Sequence, residues 1–282
     1  MSNPPVLETV ATLRAAVRGW RAAGETIALV PTMGALHAGH VSLARLAQQR
    51  ARRVIVSIFV NPTQFAPTED FSKYPRTFAA DCAKLAEAGV DAVYAPTPAV
   101  MYPESFATTV ALTGPATAGL EDRFRPTHFA GVATVVSKLH IQALPDIAIY
   151  GEKDFQQLAV ITRMNADLDL PVTVLGGATV READGLAMSS RNVYLAPAER
   201  KVAPVLHATM QDCARRIRRG EAPTTVLARG REAITAAGFA LDYLELRDAA
   251  SLGAPDVASG KPLRLLVAAR IGATRLIDNI AV

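Results

Sequence analysis

Two histidines three residues apart, His37 and His40 with Gly39 between them, stand where an apolar run over 27–30 gives way to a helical pattern from 41. Residues three apart on a helix share a face. A helix start also offers unpaired N–H groups and a partial positive charge, which suits a phosphate. Gly34 and Gly39 let the backbone approach a ligand where a Cβ would hinder it. Two imidazoles there could donate hydrogen bonds to a phosphate whose charge grows during reaction. A helix cap, a solvated side chain or a metal ligand would account for the pair as well. No third ligand follows at zinc-like spacing, and Cys82 and Cys213 are isolated from the pair and from each other.

Further segments place polar side chains directly after apolar runs. Pro62 stops the run over 54–60 from continuing, so Asn61 and Gln64 project at its carboxyl end. Neutral amides there can bond hydroxyls and a carboxylate without acting as nucleophiles, although a local turn would use them equally. Gly151, Glu152, Lys153 and Asp154 open a helix after the run over 146–149, with Gln157 one turn beyond Lys153. That junction fits an anion, with Lys153 as its countercharge, or an ordinary helix start capped by Asp154. Met188, Ser189, Ser190 and Arg191 form a loop whose hydroxyls and guanidinium suit phosphate oxygens, or an inter-domain linker. His128 lies just before another helix, as a substrate contact or a packed side chain. Asp81 is a candidate magnesium-facing carboxylate, with a solvated acid as the competing reading.

The elements that must position these groups follow from the periodicity. Apolar runs at 27–30, 54–60, 92–95, 108–112, 146–151 and 171–175 predict strands. Helical patterns at 13–22, 41–50, 78–88, 131–143 and 154–168 lie between them. The run over 54–60 is continuous, as expected when both faces of a strand are covered. The alternation predicts an α/β fold with a mainly parallel, doubly wound sheet, whose ligands bind beyond the carboxyl ends of its strands. After about residue 180 the texture changes to helices at 197–219 and 224–237, then alternating strands at 241–246, 263–269 and 274–278. The expected division is a larger domain over 1–179 and a smaller α+β domain over 180–282, with a small antiparallel sheet.

Of the 282 residues, half are hydrophobic and 20% charged, a globular composition. The first five residues lack the order of a signal peptide, and no apolar run is long enough to span a bilayer. Two distant cysteines fit a reducing compartment, so a cytoplasmic protein without a membrane partner is expected. The net charge of +4 is dispersed. Its cluster at 215–219 lies opposite Leu206, Met210, Cys213 and Ile217 on one helical pattern, a solvated face more than a nucleic-acid surface. A mild positive balance also suits anionic small molecules.

The ordered runs PTMGALHAGH at 31–40, SIFVNPTQF at 57–65, YPRT at 74–77, HFAGVATVVSKL at 128–139, GEKDFQQL at 151–158 and VREADGLAMSSRNVYL at 180–195 closely resemble the pantoate–β-alanine ligase family. This family belongs to the HxGH nucleotidyltransferase-like group. The resemblance covers almost the whole chain. It implies a Rossmann-type N-terminal domain, a C-terminal lid and a homodimer. It implies ATP-dependent condensation of pantoate with β-alanine through a pantoyl adenylate, with Mg2+ accompanying ATP and no nucleic-acid partner. Carried onto this chain, Met33, Gly34, Ala35, Leu36, His37, Ala38, Gly39 and His40 would hold ATP, with His40 catalytic and His37 assisting at the phosphates. Gly151, Glu152, Lys153 and Asp154 would also hold ATP, and Lys153 would place its charge on the phosphates. Val180 would meet the adenine through its backbone, and Met188, Ser189, Ser190 and Arg191 would form a phosphate loop. Gln64 would contact pantoate and lie near β-alanine, with Asn61 beside it, and Gln157 would bind pantoate. The nearest rival activity is a nucleotidylyltransferase that stops after adenylylating a phosphate ester. A non-catalytic nucleotide- or RNA-binding module is a rival of another class.

The departures from the family pattern are few. Thr63 replaces a usual leucine and Ala38 a common glutamate. Ala80 stands where many members carry a second acid beside Asp81, which weakens a metal role there. The run His140-Ile141-Gln142-Ala143-Leu144 replaces an apolar-Asn-Ile-Val-Gln pattern, at a place that concerns helix packing more than function.

Overall fold

The apolar runs become the strands of a six-stranded parallel sheet in the computed structural model, which describes residues 3–66 and 69–282. Met1 and Ser2, part of the segment read against a signal peptide, lie outside the described residues. The chain begins with β1 (Val6–Leu7), α1 (Val10–Ala22), β2 (Ile27–Thr32), α2 (Ala38–Gln48), β3 (Arg53–Ile58), α3 (Phe78–Glu87) and β4 (Ala92–Tyr94). The single turns α4 (Pro98–Met101) and α5 (Glu121–Phe124) lead to α6 (His128–Ala143), β5 (Ile147–Gly151), α7 (Phe155–Asp167) and β6 (Thr173–Gly177). The remainder comprises α8 (Pro197–Val202), α9 (Val205–Arg218), α10 (Pro223–Ala236), β7 (Ala240–Asp248), β8 (Leu263–Ile271) and β9 (Thr274–Ala281).

The strand order is β1-β4-β3-β2-β5-β6, with every neighbouring pair parallel. The chain moves outward from β2 through β3 to β4, then returns to lay β5 on the other side of β2. The reversal opens a crevice between the carboxyl ends of β2 and β5, where open α/β sheets bind ligands. Strand β2 is apolar over 27–30 because both its faces are covered. Ile27 and Leu29 enter the layer shared with Leu13, Leu139 and Ile161. Ala28 and Val30 enter the layer shared with Leu43, Ala44 and Leu85.

The antiparallel sheet β7-β8-β9 packs one face on Leu206, Met210, Cys213 and Ile217 of α9 and on Val226 of α10. Its other face, with Tyr243, Leu266 and Ala268, meets Leu120 and Phe155 from the parallel-sheet half.

Two expected elements differ. Residues 108–112 are not a strand, because the Val110 N–H donates to Thr134 Oγ1 on α6 at 2.9 Å and not to a neighbouring strand. The helix expected over 197–219 is two helices, since Pro204 has no N–H to continue the ladder and α9 starts immediately after it.

Candidate active site

The loop leaving β2 is bent by consecutive left-handed residues, Gly34 at φ +81° and Ala35 at φ +50°. Thr32 Oγ1 donates to the Ser57 carbonyl at 2.7 Å and accepts the Gly34 N–H at 3.2 Å. Asp81, buried on α3, accepts the N–H groups of Ala35 at 2.9 Å and Leu36 at 2.8 Å, and the Thr77 hydroxyl as well. Its carboxylate therefore holds the loop from beneath, which corrects the reading of Asp81 as a solvated acid: it is buried and both its oxygens accept backbone N–H groups. Gly34, Ala35, Leu36 and Ala38 build this turn without lining the crevice.

His37 occupies the N-cap of α2 in an extended conformation, and the two imidazoles act as the caps. His37 Nδ1 accepts the Gly39 N–H, and His40 Nδ1 accepts the His37 N–H, each at 3.2 Å. Since each Nδ1 accepts, each neutral ring carries its proton on Nε2. The ring centroids are 4.1 Å apart. Burial, reinforced by the neighbouring Lys153 charge, lowers His37 to about 4. Burial, with His37 and Lys153 beside it, lowers His40 to about 3. Both rings are thus neutral donors near pH 7. A Cβ at Gly39 would stand 2.9 Å from His37 Cε1, so this glycine makes room for the folded ring.

Across the crevice, β5 ends in a 3-10 turn over Glu152–Asp154. Lys153 Nζ lies 3.6 Å from Asp154 Oδ1. Asp154 precedes α7 without making the expected side-chain cap bond. Glu152 faces away from the crevice to pair with Arg264 at 3.0 Å. Asn279, near the end of the chain, donates to the carbonyls of Glu152 at 2.9 Å and Lys153 at 2.8 Å.

The 188–191 loop closes another side. Ser189 caps the turn over Ser190–Tyr194, and the Ser190 hydroxyl donates to the Ala35 carbonyl at 3.0 Å. Arg191 makes a two-pronged pair with Asp70, both bonds 2.9 Å, and lies over the Tyr74 ring.

The last wall is mixed. Gln64 Oε1 accepts from Asn61 Nδ2 at 3.1 Å, and Gln64 Nε2 lies 3.0 Å from Met33 Sδ. Asn61 is wholly engaged in the protein: it also donates to the Gly131 carbonyl and accepts from Tyr102 and Thr63. Its geometry is that of a residue orienting Gln64. His128 accepts from Arg125 at 3.2 Å and donates through Nδ1 to the Gln64 carbonyl at 3.0 Å, so it too secures this turn. Phe59, Val132, Val135, Val136 and Leu139 supply apolar surface beside it.

One crevice therefore gathers Met33, His37, Gly39, His40, Asn61, Gln64, Gly151, Lys153, Asp154, Gln157, Val180, Met188, Ser189, Ser190 and Arg191. Among the described residues, no group of three His, Cys, Asp or Glu side chains is placed to hold a metal ion. Sequence reasoning missed the roles of Asp70, Gly131 and Thr179. Thr179 lines the crevice beside Val180 with a buried hydroxyl that has no partner among the described residues. Only Asp70 offered a signal, as an acid in a polar stretch. Gly131 meets Thr63 and Asn61 from a distant segment, and no local pattern marks the Thr179 hydroxyl.

Neutral donors at a helix start, a lysine across a topological switch point and an adjoining amide pocket define an α/β enzyme built around a nucleotide phosphate. The family model for pantoate-beta-alanine ligase matches residues 5–281. Pantothenate synthetase 2 of Bradyrhizobium diazoefficiens is 62% identical over 280 residues, covering 99% of each chain. A pantothenate synthetase of Rhodopseudomonas palustris is 59% identical over the full length of both. The pantothenate synthetase structure from Thermus thermophilus superposes with TM-score 0.92 at 46% identity, over 98% of each chain. A pantoate-beta-alanine ligase from Francisella tularensis, complexed with β,γ-ATP and β-alanine, gives TM-score 0.83 at 30% identity, over 98% of this chain and 97% of that one. The chain belongs to the pantoate-beta-alanine ligase family.

Proposed function

We propose that this ligase joins pantoate to β-alanine in two steps within the crevice, with ATP lying between the His37–His40 cap and Lys153. In the first step a pantoate carboxylate oxygen bonds to the α-phosphorus as the bond from that phosphorus to the bridging oxygen breaks, releasing pyrophosphate. Two anions must approach, so preorganised donors and positive charge carry the catalysis. His37 and His40 donate from Nε2 as neutral groups, Lys153 supplies a full charge, and the start of α2 adds its dipole. Arg191 joins them when phosphate displaces Asp70. In the second step the neutral amine of β-alanine bonds to the acyl carbon, the bond from that carbon to the phosphate oxygen breaks to release AMP, and the nitrogen gives up one proton to water.

Gln64, held by Asn61, faces the hydroxy acid, and Gln157 approaches it from the first turn of α7. The α6 valines and Phe59 cover its two methyl groups. Val180 and Thr179 border the adenine. The adenylate is water-labile, which suits a C-terminal unit over 180–282 acting as a lid upon 1–179. Magnesium would enter with ATP, held mainly by phosphate oxygens. Asp81 does not fit that ion, since its oxygens already serve the loop. The proposed homodimer rests on the family resemblance. A cytoplasmic setting is supported by that resemblance and by two free, buried cysteines, and among the described residues no helix is long and apolar enough to cross a membrane.

The convergence of two neutral imidazoles and Lys153 on one crevice carries this reading. Omitting each substrate in turn while assaying AMP and pantothenate tests the reaction: AMP release without pantoate, or without any amide product, would refute it. His40→Ala should slow pantoate-dependent ATP–pyrophosphate exchange by roughly 100-fold or more. Exchange near the parental rate would remove His40 from its assigned role.

A further inference from the structure

Helix α6 ends in a polar side chain with no exposure to explain it. His140 is 1% exposed, in the run that departs from the family pattern. Its Nε2 lies 2.9 Å from the Tyr150 hydroxyl, and its Nδ1 lies 2.9 Å from Asn165 Oδ1. Asn165 Nδ2 donates to the carbonyls of Leu170 at 3.0 Å and Val172 at 2.6 Å, which fixes the amide and leaves Oδ1 to accept. The proton of neutral His140 must therefore sit on Nδ1. Its Nε2 accepts the Tyr150 hydroxyl proton. The hydrogen bonds run one way, from β5 through α6 to α7.

Each of these elements carries part of the crevice. Tyr150 lines it and precedes Gly151 directly. Val136 and Leu139 line it from α6, and Gln157 from the first turn of α7. Apolar packing alone would let α6 slide against β5. A fully satisfied buried network resists sliding, because a small shift leaves a polar group without a partner.

We infer that His140 is a positioning residue for the acid subsite: by bonding Tyr150 and Asn165 it sets how far the α6 wall stands from the end of β5, and so the space pantoate occupies. This rests on the reading of the α6 wall as the pantoate side.

The test uses the full-length enzyme with His140→Phe, Tyr150→Phe and the two combined, reading KM for pantoate, KM for ATP and kcat. Tyr150→Phe strands one buried polar atom, His140 Nε2, while His140→Phe strands two, the Tyr150 hydroxyl and Asn165 Oδ1. Tyr150→Phe should raise the pantoate KM roughly five-fold, the size of one lost net hydrogen bond, His140→Phe should raise it at least as much, and both should leave the ATP KM within about two-fold. In the double variant two apolar rings meet and only Asn165 Oδ1 is left without its donor, so the pantoate KM should fall below that of His140→Phe alone. Should a single variant not fold, His140→Gln, whose amide reaches only one partner at a time, takes its place and should show the same selective rise.

A purely structural role would lower the melting temperature and leave the pantoate KM unmoved, and that outcome overturns the inference. So does a double variant whose effects simply multiply. Val136→Ala separates the inference from the reading beneath it. If that change leaves the pantoate KM unmoved, the wall assignment fails and the inference with it. If it raises the KM while the His140 and Tyr150 variants do not, the inference alone fails.

Discussion

The chemistry of the His37–His40 pair follows from which nitrogen is occupied. Backbone N–H groups take both Nδ1 atoms, so each ring presents an N–H donor to the crevice and stays neutral well below pH 6.5. Adenylation, followed by pyrophosphate exchange, should therefore show no inflection near pH 6.5 on its acid side. An inflection there, absent in both His37→Ala and His40→Ala, would mean that an imidazolium acts. Gly39 is the steric partner of the pair. Gly39→Ala forces its Cβ against the His37 ring, 2.9 Å away before any shift, and should cost at least about ten-fold in exchange rate, the scale of a displaced transition-state donor. Circular dichroism and melting temperature should stay near parental, and a variant of parental activity would show that the ring needs no such room. On the acid side, Gln64→Ala should raise the pantoate KM more than the ATP KM, and equal losses for both would misplace that amide. Most of these residues were legible as types at a strand end. Their tautomers were not, because Nδ1 finds its partner through the fold of the cap.

At the scale of elements, the crevice is made where a strand end is fixed by a group from the next segment. Asp81 reaches from α3 to the loop after β2 and accepts two of its N–H groups. Asp81→Asn can accept only through one oxygen and turns an NH2 toward a backbone donor. It should lower stability by about 1.5–3 kcal/mol, the range for hydrogen bonds to a charged group, and raise the ATP KM as Ala35 leaves its left-handed conformation. Urea denaturation and steady-state kinetics check the two parts, and a variant as stable as the parent would show the loop holding itself. The turn over Pro62–Gln64 depends likewise on Gly131, where a Cβ would run into the Thr63 carbonyl. The strand runs and the polar residues after them were readable because periodicity and breakers act locally. The segment 108–112 was misread because its β-branched composition says nothing of Thr134, which captures its backbone. Pro204 breaks the 197–219 helix as local rules require, although the apolar stripe continues across it.

Across the whole molecule, distant segments brace the crevice. Asn279 and Arg264 of the antiparallel sheet hold the turn that carries Lys153, and no local pattern announces a contact spanning 126 residues. Arg275 pairs with Glu121 and Asp242, and the Tyr243 hydroxyl donates to Glu121 as well. Burial opposes ionisation of Glu121, yet the bonds and charge of Arg275 hold its carboxyl below the usual range. The buried imidazoles give the fold a definite acid response. His37, His128 and His140 are held at about 4 and His40 at about 3, all chiefly by burial. The unfolded chain binds protons on these rings near pH 6.5, while the folded chain does not until near pH 4. Unfolding therefore takes up protons in that interval. The stability they contribute is fully present above pH 6.5 and is lost as the pH falls toward 4, by up to about 1.4 kcal/mol per pH unit for each ring. The melting temperature should fall steadily from pH 7 to pH 4.5, with Glu121 adding its own loss only below the ordinary carboxylate range. Replacing His140 and Tyr150 together by phenylalanine removes one of the four rings and leaves no Tyr150 hydroxyl stranded, and should make that decline shallower. A decline as steep in the double variant as in the parent would mean that groups other than these imidazoles set the acid limit of the fold.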